Sequence, residues 1–209
     1  MDAIEDSALR ELVAVLRRAH AGELGASLAY EGHVRSLADP QEARDVLAIA
    51  REERDHRRGV GRMLDDLGER PRFWREALFW LIGATLGRLC RVSGWLTPMY
   101  GAGWLESGNI REYEQAAGLA ILAGRLDLAP ELLRMAEVEW EHERYFRSKV
   151  IDSGCGQLLP LWSAPPPKDS IGPKLPRGFS RREASRAARP LDAGPKGPLR
   201  RAFLRGTVP

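Results

Sequence analysis

Two of the four histidines in this chain stand three residues after a glutamate, in Glu53-x-x-His56 and in Glu139-x-x-His142. Residues three apart on a helix share one face. A carboxylate and an imidazole so placed offer an oxygen and a nitrogen to one metal ion. Such ligands, with coordination positions left vacant, suit Fe or Mn better than a closed zinc site. The surroundings of each pair sharpen the signal. Glu53 falls in line with Val46, Ile49, Val60 and Met63 or Leu64. Glu139 lies between Leu132, Met135 or Ala136 and Phe146 or Val150. Two lone glutamates repeat the pattern: Glu23 interrupts the stripe of Leu16, Ala19 and Tyr30, and Glu106 shares a face with Ala102, Ile110, Tyr113 and Ala117. Four inward carboxylates with no bases facing them would cost on the order of several kcal/mol each. Two divalent cations would cancel that charge. The remaining histidines have plainer readings: His20, one turn before Glu23, neighbours a ligand without being one, and His33 is a solvated or rim residue.

Four helices must carry these side chains. The first 150 residues show no sustained period-2 alternation and little clustering of Val, Ile and Thr. The first helix is expected from near Ser7 to Leu37. The second starts at an Asp39 cap with Pro40 at its first position and Glu42 completing a capping box, and it ends near Leu67 at Gly68. The third follows Thr97-Pro98 and reaches about Ala123. The fourth runs from near Pro130 to about Ile151. One Glu on each of two helices and Glu-x-x-His on the other two is the ligand pattern of ferritin-like bundles. The expected fold is therefore all-α: a ferritin-like antiparallel four-helix bundle over residues 1–155.

The joint between the second and third helices, Glu69 to Leu96, adds a further segment. Ala77 to Leu86 is apolar apart from Gly83 and Thr85, and Arg72, Arg75, Arg88 and Arg91 flank it beside Trp74, Trp80 and Trp95. It is shorter than the ~20 residues that span a bilayer. A helix at a membrane interface, a cover over an apolar cavity and a buried crossover helix all fit it.

The net charge of +3 conceals an asymmetry. From Ile151 onward 11 Lys and Arg face 4 Asp and Glu, so the body of the chain is mildly acidic and no nucleic-acid partner is expected for it. Ten of the 14 prolines lie from Pro160 onward. Residues 156–209 are accordingly expected to be a disordered basic tail of low complexity. Met1 to Asp6 carries acids and no basic region, so no signal peptide is expected. Cys90 and Cys155 form no metal or redox pair.

The motifs resemble those of the demethoxyubiquinone hydroxylase family, ferritin-like di-iron monooxygenases of ubiquinone biosynthesis. His20-Ala21-Gly22-Glu23-Leu24-Gly25-Ala26 is similar to the family's H-A-G-E-x-G-A signature. Glu53-x-x-His56 follows 30 residues after Glu23, Tyr113 follows Glu106 by seven, and Glu139-x-x-His142 closes the set. The resemblance covers roughly residues 8–152. Ala19 stands where the family has Asp, Glu112 where it has His, and Gln115 follows Tyr113 by two residues instead of three. The resemblance implies that Glu23, Glu53, His56, Glu106, Glu139 and His142 bind two Fe ions, with Glu53 and Glu139 bridging. It implies a hydrogen-bonding or electron-relay role for Tyr113. It implies one oxygen atom of O2 placed on a polyprenyl quinol, electrons from an external reductant such as NADH, and a peripheral position on inner-membrane lipid at the cytoplasmic side. A homo-oligomer and a ubiquinone-biosynthesis complex both stay open. Two other readings stand beside it: a different ferritin-like di-metal role, in peroxide reduction or iron handling, and a non-enzymatic membrane or RNA adaptor acting through the basic tail.

Overall fold

The computed structural model describes residues 3–154, 159–175 and 179. They form five α-helices and one short 3-10 turn, with no strand among the described residues. The helices are α1 (Ala3–Val34), α2 (Pro40–Asp66), α3 (Phe73–Leu89), α4 (Leu96–Leu122) and α5 (Ala129–Asp152). The chain is all-α, a helical bundle consistent with the ferritin-like expectation. It divides into two compact units, one of Met1–Val15, Glu106–Glu141 and Ser163–Pro209, the other of Leu16–Leu105 and His142–Trp162.

Local chemistry sets the helix ends. Asp39 accepts a hydrogen bond from the Gln41 amide at 2.8 Å, and Pro40 opens α2 with its fixed φ. Gly68, at φ +70°, takes the left-handed conformation that closes the helix. The expected capping box does not form. Glu42 turns instead to the Trp95 indole (2.7 Å) and the Lys149 ammonium (3.1 Å), stronger partners than a backbone amide in the same helix. The first helix ends at Val34, three residues before the expected Leu37, where Ser36 donates both its amide and its hydroxyl to the His33 carbonyl. Pro98 lies inside α4, in the first turn, where its missing N–H removes no helical bond.

In the second unit the apolar stripes meet in a core of Tyr30, Val46, Ile49, Met99, Phe146 and Val150. Helix α3 stands apart from this pattern. Its buried residues are Gly83 and Gly87, while Phe73, Trp74, Trp80 and Leu81 are each more than half exposed. It touches α1 glycine against backbone: a Cβ on Gly83 would overlap the Gly25 backbone, and one on Gly32 would overlap Gly87. The segment is therefore not a buried crossover helix.

Residues 159–175 carry contacts that a solvated tail would lack. In the second unit Trp162 is buried and donates its indole N–H to Glu143 at 2.7 Å, and its carbonyl accepts from Arg147 at 3.0 Å. In the first unit Lys174 pairs with the fully buried Glu114, whose carboxylate also accepts from the Gly172 amide at 3.2 Å. Pro-rich composition reports the loss of backbone donors; it does not report that Trp162 and Lys174 have partners waiting. Residues 155–158, 176–178 and 180–209 of the expected tail lie outside the described residues.

Gly83→Ala should destabilise the chain by about 1–3 kcal/mol in urea unfolding, because two backbones must part. Gly108→Ala, on α4 with open space around it, should stabilise it by about 0.5–1 kcal/mol. Truncation after Ala164 strips Glu114 of Lys174 and the Gly172 amide and should cost roughly 1–3 kcal/mol.

Candidate metal centre

The six predicted ligands come from four helices: Glu23 from α1, Glu53 and His56 from α2, Glu106 from α4, Glu139 and His142 from α5. All six are buried, at 0–6% exposure. Each is buried for the reason its sequence context indicates. It occupies the inward position of an apolar stripe, and the helix cannot turn it outward without exposing Leu, Ile or Phe neighbours.

Within the second unit, His142 is held on both sides. Its Nε2 lies 2.7 Å from Glu52 Oε2, and its Nδ1 lies 3.1 Å from Glu53 Oε1. That hydrogen bond holds the Glu52 carboxyl below the usual carboxylate range, against the upward push of partial burial. A carboxylate only accepts, so the contact to Glu52 calls for a proton on Nε2, and Nδ1 can then offer a lone pair on the side of the Glu53 carboxylate. Two electron-rich atoms facing each other fit a shared cation. The His56 and His142 ring centroids are 6.3 Å apart. Within the first unit, Asn109 donates its side-chain N–H to Glu106 (2.9 Å) and to Glu139 (3.3 Å), so one amide orients two carboxylates. Tyr113 is buried on the same helix as Glu106.

Two groups of these side chains each offer ligand atoms lying within 4.8 Å of one another. One is Glu23, Glu53, His56 and Glu139; the other is Glu53, Glu106, Glu139 and His142. Glu53 and Glu139 belong to both. The donor set is four carboxylates and two imidazoles, which fits two hard-to-borderline divalent cations and no thiolate metal.

Sequence reasoning did not find Glu52 or Asn109. Asn109 was within reach, since it stands three residues after Glu106 and so shares its face. Glu52 was not, because it points away from the stripe that Glu53 occupies and is half exposed. His20 is buried but belongs to neither group; its Nδ1 meets Glu76 of α3 at 2.9 Å. His33, expected at the rim, is buried at 1% exposure.

Residues 10–107 match the family described as ubiquinone biosynthesis protein COQ7. A 3-demethoxyubiquinol 3-hydroxylase from Variovorax paradoxus (strain S110) is 28% identical over 189 residues, 90% of this chain and 68% of the relative. The chain is thus similar to the COQ7 family over its first half. No solved structure matches it significantly. The COQ7 match includes Glu23, Glu53, His56 and Glu106 and stops before Glu139 and His142.

Four buried carboxylates would be relieved by bound cations. Excess Mn(II), or Fe(II) without oxygen, should raise the melting temperature; at a hundredfold excess over Kd each occupied site adds about 2.7 kcal/mol. In Glu53→Ala, which removes a residue common to both groups, calorimetry should show that stabilisation lost.

Proposed function

We propose that this chain is a di-iron monooxygenase that hydroxylates the ring of a polyprenylated benzoquinol of the demethoxyubiquinol type. The observation that carries the reading is the pair of overlapping Glu/His groups sharing Glu53 and Glu139, in a chain whose first half matches this family. Glu53 and Glu139 would bridge two irons. Glu23 and His56 would complete one coordination sphere, Glu106 and His142 the other, in a ferritin-like antiparallel four-helix bundle. A reduced di-iron centre held there supplies activation of O2.

The residues of the chain do the rest. Burial of all six ligands keeps water from competing with substrate for the open positions. Asn109 fixes the Glu106 and Glu139 carboxylates in one orientation, and Glu52 holds the His142 tautomer. Tyr113, buried on the Glu106 helix, serves as a hydrogen-bonding or electron-relay group. Electrons come from an external reductant such as NADH, since the chain has no dinucleotide-binding glycine fingerprint.

No described helix is long and apolar enough to cross a membrane. The exposed apolar side chains of α3, with Arg72, Arg75, Arg88 and Arg91 around them, suit a helix lying in the lipid interface. That supports a position at the periphery of the inner membrane, where a prenylated substrate would reside. A bundle devoted to iron handling or peroxide reduction has no use for such a surface.

Iron-loaded protein given demethoxyubiquinol, NADH or a chemical reductant and isotopically heavy O2 should yield a product carrying one heavy oxygen atom, read by mass spectrometry. Glu139→Ala should lower the rate by more than about a hundredfold, beyond what loss of a supporting contact costs. A wild-type rate unchanged by removing iron would exclude the reading.

A further inference from the structure

An apolar cavity of about 370 Å³ lies in the second unit, between the later turns of α1, the end of α3 and the start of α4. Tyr30, Leu86, Leu89, Cys90 and Leu105 form much of its wall. Leu86, Leu89 and Leu105 are also each more than 40% exposed, so the cavity adjoins the apolar surface of α3. Its size is that of a site for one ring with a short chain.

His33 lines this wall and does not belong to it chemically. It is 1% exposed, and neither Nδ1 nor Nε2 has a hydrogen-bond partner. Burial pushes its pKa down to about 4, with the Glu42 carboxylate pulling the other way. The ring is thus neutral at physiological pH and presents one N–H donor and one bare acceptor nitrogen. A buried polar group in that state is costly. A hydrocarbon chain filling the cavity would leave it so. A phenolic hydroxyl would not, because it donates to one kind of nitrogen and accepts from the other.

His33 follows Glu23 by ten residues on α1. That is ~15 Å along the helix axis. A ring held at His33 is therefore not a ring in position to react. We propose that this cavity binds the hydroxylated ring of an amphiphile through His33, as a holding position short of the metal centre. The ligand class, a prenylated quinol, rests on the hydroxylase reading; the site itself does not.

The test uses 4-pentylphenol and pentylbenzene, two ligands of one shape differing by a hydroxyl, with the full chain and calorimetric titration. Wild type should bind the phenol about 5–50-fold more tightly than the hydrocarbon. His33→Leu should reduce that preference to within about twofold, while His33→Gln, which keeps a donor and an acceptor, should retain most of it. Gly101→Leu, whose side chain would enter the cavity from α4 where nothing lies within 4 Å of a Cβ, should weaken both ligands at least about tenfold. Melting curves verify that each variant is folded. An equal affinity for the two ligands in wild type, or a preference surviving in His33→Leu through Ser93 or Thr97, overturns the proposal. So does unchanged binding in Gly101→Leu. Because no turnover is measured, a failed hydroxylation assay beside an intact phenol preference would sink only the catalytic reading.

Discussion

Glu23, Glu53, Glu106 and Glu139 are almost wholly removed from water, and like charges in that setting repel without the screening that solvent gives at a surface. Hydrogen bonds relieve part of this: Asn109 donates to two of the carboxylates. They do not supply net positive charge. Cations would, and the proposed di-iron centre would account for Glu53 and Glu139 recurring in both ligand groups. The apolar stripes on either side of it, such as Tyr30, Val46 and Phe146, carry the stability that the carboxylates subtract.

Helix α3 obeys a different constraint. Its glycines approach the α1 backbone so closely that no side chain fits between them, and this turns the bulky residues outward. Such contact gains dispersion energy over a narrow strip and buries little apolar area. The helix therefore keeps an uncovered surface of Trp, Phe and Leu, which only an apolar environment would make favourable. The cavity beside it, with His33 in its wall, is a consequence of the same geometry. Backbones that meet at glycines leave space where the flanking side chains diverge.

The stretch from 159 to 175 shows how composition misleads. Prolines and a basic balance predict a solvated chain, yet Trp162 fills a place beside Gly103 and Arg147, and Lys174 answers the buried Glu114. Proline removes backbone donors but also lowers the entropy that ordering must overcome. A few well-placed anchors are then enough.

The helices and the six inward residues are legible in the amino-acid sequence. Helical period is a local property, and a glutamate interrupting an apolar stripe is a contradiction visible within one helix. It was enough to recognise that Glu53 and Glu139 share their helices with His56 and His142. The partners of those residues were decided by tertiary structure alone. Glu52 lies 90 residues from His142. His33 is buried because of where α3 and α4 run, and Glu42 abandons its own helix end for Trp95 and Lys149. Each of these depends on which surfaces meet, and no spacing along a single helix encodes that.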